Sequence, residues 1–254
     1  MFHVKHIKEI DLEFLEFKDK LELALKNNSV DVELDEAKAK KLYKLTQIML
    51  EVNKSMNLTA ITDEDAIIVK HYVDSLTVSK YIPQNSTVID VGCGAGFPCL
   101  PLAIFREDLK ITALDATAKR IKYIENTANK LEITNVFPIA ARAEELAKKS
   151  DYRECFDVAT ARAVASLPVL TELCLPFVKK GGKFVSMKAS QGEQELAISK
   201  NAISLCGGSL ISLDSISLDV GGSFEPRSII SISKTSSTPS KYPRHFSQIS
   251  KKPL

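Results

Sequence analysis

The stretch VIDVGCGAGFPCLPLAI, residues 88–104, constrains the fold more than any other part of the chain. An apolar run broken only by Asp90 leads into Gly92, Gly94 and Gly96, and an apolar segment follows from Phe97. Strand, glycine turn and helix in this order begin a βαβ unit, whose helix must pack back onto a parallel sheet. Dinucleotide-binding turns space their glycines as G-x-G-x-x-G. Here Phe97 occupies the place of the third glycine, and the spacing is G-x-G-x-G. Backbone can therefore approach a ligand closely, without a slot of pyrophosphate size. A bare strand-to-helix turn with no ligand is the competing reading. Asp90, inside the strand, can accept from a cationic amine or buttress the loop. Asp115 closes the next apolar run, roughly 20 residues beyond the loop, where an acid can accept both ribose hydroxyls of a nucleoside.

The remaining pattern says which sheet this is. Apolar positions at helical spacing predict helices over residues 9–26, 34–54 and 64–80. From Ser86 strands and helices alternate. Strands are expected at 87–92, 110–116, 135–141, 156–164 and 183–189, each followed by a helix, and two late strands at 209–218 and 227–234. Five strand–helix units predict a mostly parallel, doubly wound sheet. Two closing strands with no helix between them predict an antiparallel pair at one edge. A seven-stranded sheet with a reversed last strand fits an S-adenosylmethionine site better than a nicotinamide dinucleotide site.

With 254 residues, 44% of them hydrophobic, the chain can build one large α/β domain with a helical appendage. The expected organisation is an N-terminal helical region over 1–80, the sheet domain over 81–234 and a tail over 235–254. Net charge is only +2, but no acidic residue follows Glu225, whereas Arg227, Lys234, Lys241, Arg244, Lys251 and Lys252 do. Such a tail predicts a polyanionic partner. Cys93, Cys99, Cys155, Cys174 and Cys206 form no CxxC pair, which argues against a zinc site or a disulfide framework and for a reducing cytoplasm. No run approaches the roughly 18 apolar residues of a membrane span, and the charged start lacks the apolar core of a signal peptide. A soluble cytoplasmic protein without metal or membrane partner is expected.

Several segments together carry a specific resemblance: DVGCGAGFPCLPLAI, LDATAKRIKYI, ARAEEL, FDVATARAVASLPVLTELCLPFVKKGGKFVSMK and KYPRHFSQISKKPL, with NKSMNLTAITDEDAIIVKHYVDSL ahead of them. The chain resembles the bacterial small-subunit rRNA guanine-N7 methyltransferases, also called the glucose-inhibited division protein B family, over residues 40–254. The resemblance implies a class I methyltransferase fold, a Rossmann-like seven-stranded α/β sheet with an N-terminal helical extension. It implies S-adenosyl-L-methionine as cofactor and 16S rRNA or the small ribosomal subunit as partner. By the same resemblance, Gly92, Gly94, Gly96 and Phe97 line the methionine part, Asp115 takes the ribose, Ala143 and Glu144 flank the adenine, and Arg162 faces methyl transfer as the catalytic residue. Asn57, His71, Lys188, Lys241 and Arg244 are the candidate RNA contacts, with Asp74, Lys119 and Arg120 beside them. Cys99 and His245-Phe246-Ser247 depart from the family pattern.

Guanine N7 presents a lone pair at neutral pH, so no proton must leave before methyl transfer and no general base is expected. Consistent with this, residues 160–163 read Thr-Ala-Arg-Ala, not the Asn/Asp-Pro-Pro-Tyr/Phe of adenine-amine methyltransferases, and no cysteine stands there for C5 chemistry. The alternatives are a methyltransferase for a small molecule or protein, and a cofactor-binding regulator without turnover. The opening hexapeptide MFHVKH suggests one further hypothesis. Codons exist that would place the palindrome TGTTTCACGTGAAACA there, similar to a chromosome-partition site; synonymous codons that break the palindrome would end that idea.

Overall fold

The computed structural model describes residues 12–254. The opening hexapeptide and the first three positions of the expected 9–26 helix lie outside the described residues.

Seven strands form one sheet in the order β3-β2-β1-β4-β5-β7-β6. They are β1 (Thr87–Val91), β2 (Lys110–Asp115), β3 (Val136–Ala140), β4 (Phe156–Arg162), β5 (Val178–Lys188), β6 (Gly208–Val220) and β7 (Ser223–Lys234). The first five are parallel, and β7 runs antiparallel to both β5 and β6. The expected closing pair is present, joined through Gly221-Gly222, a dipeptide suited to a tight hairpin. The strand that ends the sheet is β6; β7 inserts between it and β5.

Side chains alternate across the sheet and feed two cores. Val88, Ile111, Ala113, Val158 and Val185 face one core, while Ile89, Leu114, Ala159 and Phe184 face the other. Helices α1 (Leu12–Asn27) and α2 (Glu36–Met56) place Phe17, Leu21, Leu42, Leu45 and Met49 into the first core, together with residues of α5 (Cys99–Phe105) and α6 (Ala118–Lys130). The second core lies under α8 (Leu167–Cys174), α9 (Gly192–Leu205) and the closing helix α10 (Phe246–Lys251).

The expected helix over 64–80 is interrupted. It consists of α3 (Glu64–Ile67), a π-helical stretch (Ile68–Val73), α4 (Asp74–Leu76) and a 3₁₀ turn (Ser79–Tyr81). The wider π turn carries His71 onto Phe97 of the glycine loop, a placement typical of functional sites. Strand β5 begins at Val178, earlier than the expected 183. Its register against β4 shifts between Phe156 and Val158, so the two glycines there lie in a bulge and do not end the strand. A Cβ on Gly182 would stand 2.5 Å from the Asp157 carbonyl oxygen. The short α7 (Ala143–Leu146) follows β3. Among the described residues, no helix is long and apolar enough to cross a membrane. None of their His, Cys, Asp and Glu side chains form a group of three or more that could hold a metal ion.

Candidate functional site

The carboxyl ends of β1, β2 and β4 meet at the glycine loop, where ligands bind in open α/β sheets. Gly92 and Cys93 donate to the Leu114 carbonyl at 2.7 and 3.0 Å, tying the loop to the end of β2. Gly94, at φ +56°, is open: a Cβ there would meet nothing closer than 3.9 Å. Gly96, at φ +93°, is closed, because a Cβ would lie 2.4 Å from Leu100. One glycine therefore leaves room for a ligand, and the other lets α5 approach the loop.

Asp115 accepts from the Gly94 amide at 3.1 Å and, through its other oxygen, from the Thr117 amide at 2.8 Å. Arg120 stands 3.6 Å from the same carboxylate. Asp90 lies beneath the loop, 1% exposed, and accepts from Cys99 N–H and the Thr160 hydroxyl, each at 3.2 Å. Burial pushes its carboxyl up to about 7, although the Thr160 and Cys99 bonds and the Arg162 charge favour the anion. Asp90 buttresses the loop and lines none of the cavities described below.

Three cavities follow one another along this rim. The first, about 230 Å³, is lined by Val91, Leu114, Asp115, Ala143, Glu144 and Phe246, among others. The second, about 340 Å³, shares Gly92, Asp115, Arg120 and Val164 with it and adds Gly94, Phe97 and His71. The third, about 640 Å³, shares His71, Arg162, Ala163 and Val164 with the second and extends past Lys70, Asp74, Lys188 and Arg227.

The partition between the second and third cavities is a stack of planar groups. His71 lies on Phe97 with centroids 4.4 Å apart and planes 11° from parallel. The Arg162 guanidinium stands over the Phe97 ring at 5.4 Å. Arg162 is held by the Lys70 carbonyl at 2.9 Å and by Asp74 at 3.2 Å. Burial pulls the Arg162 pKa down while Asp74 and Asp90 oppose that pull. His71 accepts from or donates to the Thr59 hydroxyl at 2.9 Å, and burial, reinforced by the Arg162 charge, pulls its pKa down to about 4. The imidazole is neutral at physiological pH. Next to Arg162, Ala163 has φ +54°, a left-handed conformation that costs a non-glycine residue of order 1 kcal/mol.

The structure thus brings together Gly92, Gly94, Phe97, Asp115, Ala143, Glu144, Arg162, His71 and Lys188 on one continuous rim, with Gly96 turning the chain behind it. Lys188 donates to the Ala165 carbonyl and pairs with Glu195 at 2.8 Å. Asn57 closes α2 in the left-handed conformation, donating to the Asn53 carbonyl, and lines none of the three cavities. Lys119 lies in a groove between α2 and α6, away from the rim.

Three of the six cations that follow Glu225 turn inward. Arg244 forks onto Glu172, which is 0% exposed, with contacts from 2.6 to 3.2 Å, and its amide donates to the same carboxylate. Lys234 is buried against Glu154 and the Leu175 carbonyl, and Arg227 pairs with Asp74 and Glu225. These three cations neutralise the protein's own acids. Only Lys241, Lys251 and Lys252 of the six face outward. Sequence reasoning gave Glu172 no role and gave Phe246 only stacking on RNA bases, whereas the Phe246 ring lines the first cavity. An aromatic in a basic tail reads as an RNA stacker, and a lone Glu in the apolar run LTELCL gives no hint of a partner 72 residues away.

The family model of the rRNA small subunit methyltransferase G proteins matches residues 38–219. A ribosomal RNA small subunit methyltransferase G of Oceanobacillus iheyensis is 44% identical over 233 residues, covering 91% of this chain and 96% of the relative. One of Staphylococcus saprophyticus is 43% identical over 225 residues, covering 88% and 93%. Among solved structures, the [4+2]-cyclase SpnF superposes with a TM-score of 0.53 at 14% identity, over 81% of this chain and 98% of that one. A SAM-dependent methyltransferase of Methanosarcina mazei gives 0.50 at 15% identity, over 63% and 97%. At such identities the likeness concerns the fold, which is that of the class I methyltransferases.

Proposed function

The chain belongs to the rRNA small subunit methyltransferase G family, and from that premise we propose that it methylates guanine N7 in 16S rRNA, using S-adenosyl-L-methionine. The residues of the first two cavities fit that cofactor. The first offers apolar walls at Val91 and Leu114 with Glu144 among them, suited to adenine and its edge. Asp115 stands at the junction, suited to ribose. The second offers the open Gly94 backbone for the methionine part. When bound, the cofactor supplies an electrophilic methyl group on a sulfonium.

The observation that carries the N7 reading is the character of the partition. The end of β4 offers a guanidinium, set over the Phe97 ring of the glycine loop, and the nearby carboxylates are already held: Asp74 by Arg162 and Arg227, Glu195 by Lys188. A reaction that required a proton acceptor would be poorly served, because burial and the Arg162 charge also pull the pKa of the His71 imidazole down to about 4. One in which a guanine lone pair needs only alignment is well served, because Arg162, which lines both cavities, offers a guanidinium plane against which a base can rest. Alignment of this kind is worth up to about 7–11 kcal/mol of the barrier in favourable cases. Mapping N7-methylguanine in small-subunit rRNA from cells with and without the protein tests the proposal. Loss of one N7-methylguanine in its absence is the expected outcome; an unchanged map would refute it.

A further inference from the structure

The residue least accounted for on the rim is Phe246. It comes from the closing helix, more than 80 residues beyond the end of β4, yet it lines the same cavity as Asp115, Ala143 and Glu144. It is 36% exposed, and the Arg142 guanidinium lies over its ring at 5.9 Å. A large aromatic group left open to solvent beside an apolar cavity retains a face for a ligand ring.

The chain around it is fixed on both sides. Two residues before it, Arg244 forks onto the fully buried Glu172 of α8. Three residues after it, Ile249 is 0% exposed in the second core. Further back, Arg153 donates to the carbonyls of Thr238 at 2.7 Å and Tyr242 at 3.0 Å, and the Tyr242 ring is buried. His245 caps α10, accepting from the Ser247 amide. None of these anchors leaves the segment free to swing out, so the position of Phe246 at the cavity is set by the fold.

We propose that Phe246, backed by Arg142, is a cofactor-binding residue of the C-terminal segment that packs against the adenine ring and closes the purine end of the site. The proposal rests on the reading of the first two cavities as the S-adenosylmethionine site. It gives a cofactor role to a segment whose charge pattern suggests a polyanionic partner. Base–aromatic stacking is sequence-tolerant and substantial, and the partial exposure of Phe246 puts its contribution at the low end.

The chain contains no tryptophan, so Phe246→Trp in the full-length protein introduces a unique fluorophore. Phe224→Trp, at a position 67% exposed in the distant hairpin, is the control. S-adenosylhomocysteine is the probe, titrated by fluorescence and by calorimetry. Emission of the Phe246→Trp protein is expected to change and saturate at the calorimetric affinity, with no change in the control. Phe246→Ala, with melting temperature checked, is expected to bind about five- to tenfold more weakly, and Phe246→Tyr within about twofold of wild type. Silent emission at a saturating calorimetric signal, with Phe246→Ala binding like wild type, overturns the inference and leaves the cofactor site standing. Absence of binding to the wild-type protein overturns both.

Discussion

At the residue scale, two aspartates one strand apart carry opposite duties. Asp115 is 7% exposed at the junction of the cavities and already accepts two backbone amides. Its remaining lone pairs are available to ribose hydroxyls. Asp115→Ala is expected to weaken S-adenosylhomocysteine binding by about 1.5–3 kcal/mol, the worth of charge-assisted bonds. Calorimetry reads this directly, and unchanged affinity would remove Asp115 from the site. Asp90 instead supports the loop from below. Its folded pKa, pushed up to about 7, lies above the ordinary carboxylate value. The folded state therefore holds the proton more tightly, and the associated stability is present below about pH 4 and is lost as pH rises towards 7. Asp90→Asn removes that dependence. Unfolding at pH 5, 6, 7 and 8 is expected to show the variant gaining on wild type as pH rises, by on the order of 2 kcal/mol overall. Taking the difference cancels the contribution of His71, whose lowered pKa acts in the opposite sense. A difference flat across this range would mean that Asp90 is ionised throughout it.

At the element scale, one of the anchors of the closing segment is an asymmetric ion pair. The Glu172 side chain is 0% exposed and that of Arg244 is 23% exposed. Removing the arginine strands a buried carboxylate, whereas neutralising the glutamate leaves a guanidinium that can reach water. Arg244→Ala is expected to cost about 3 kcal/mol and Glu172→Gln about 1, with the double variant more stable than Arg244→Ala. Chemical denaturation of the four proteins completes the cycle, and equal single costs would contradict the asymmetry. Elements also mark where the sequence was legible. The five parallel strands were readable because Val, Ile and Leu runs ended at glycines and charges, and the G-x-G-x-G turn located the rim. The π-helical stretch was not, since a continuous 3.6-residue pattern does not report one extra residue in a turn. Nor was α10, whose six residues are held by Glu172 and Ile249 contacts distant in sequence. The site residues implied by resemblance meet on one rim, but the tail cations could not be sorted into inward and outward groups without the fold.

At the scale of the whole molecule, the net charge of +2 hides where cations face outward. With Arg227, Lys234 and Arg244 engaged internally, Lys241, Lys251 and Lys252 are the tail residues open to phosphate. Each phosphate contact on single-stranded RNA contributes about −0.7 to the slope of log K against log salt. Replacing the three lysines by alanine is therefore expected to flatten that slope by about 2 units. Cofactor affinity should not change, because none of the three lines the first or second cavity. Filter binding of small-subunit RNA across a salt series decides it, and an unaltered slope would place the RNA surface elsewhere.

The position of β7 between β5 and β6 has a consequence in time. The ribosome delivers β6 before the strand that must separate it from β5. Until residues 223–234 emerge, β5 presents an open row of amides and carbonyls, and at about 5–20 residues per second that interval lasts seconds. An open edge of this kind invites pairing with another chain. A nascent chain halted after Leu205 is expected to self-associate, and one extended through Lys234 to remain monodisperse in sedimentation; equal behaviour would show that the unfinished edge is already protected. The order of synthesis makes the last hairpin the step that commits the molecule.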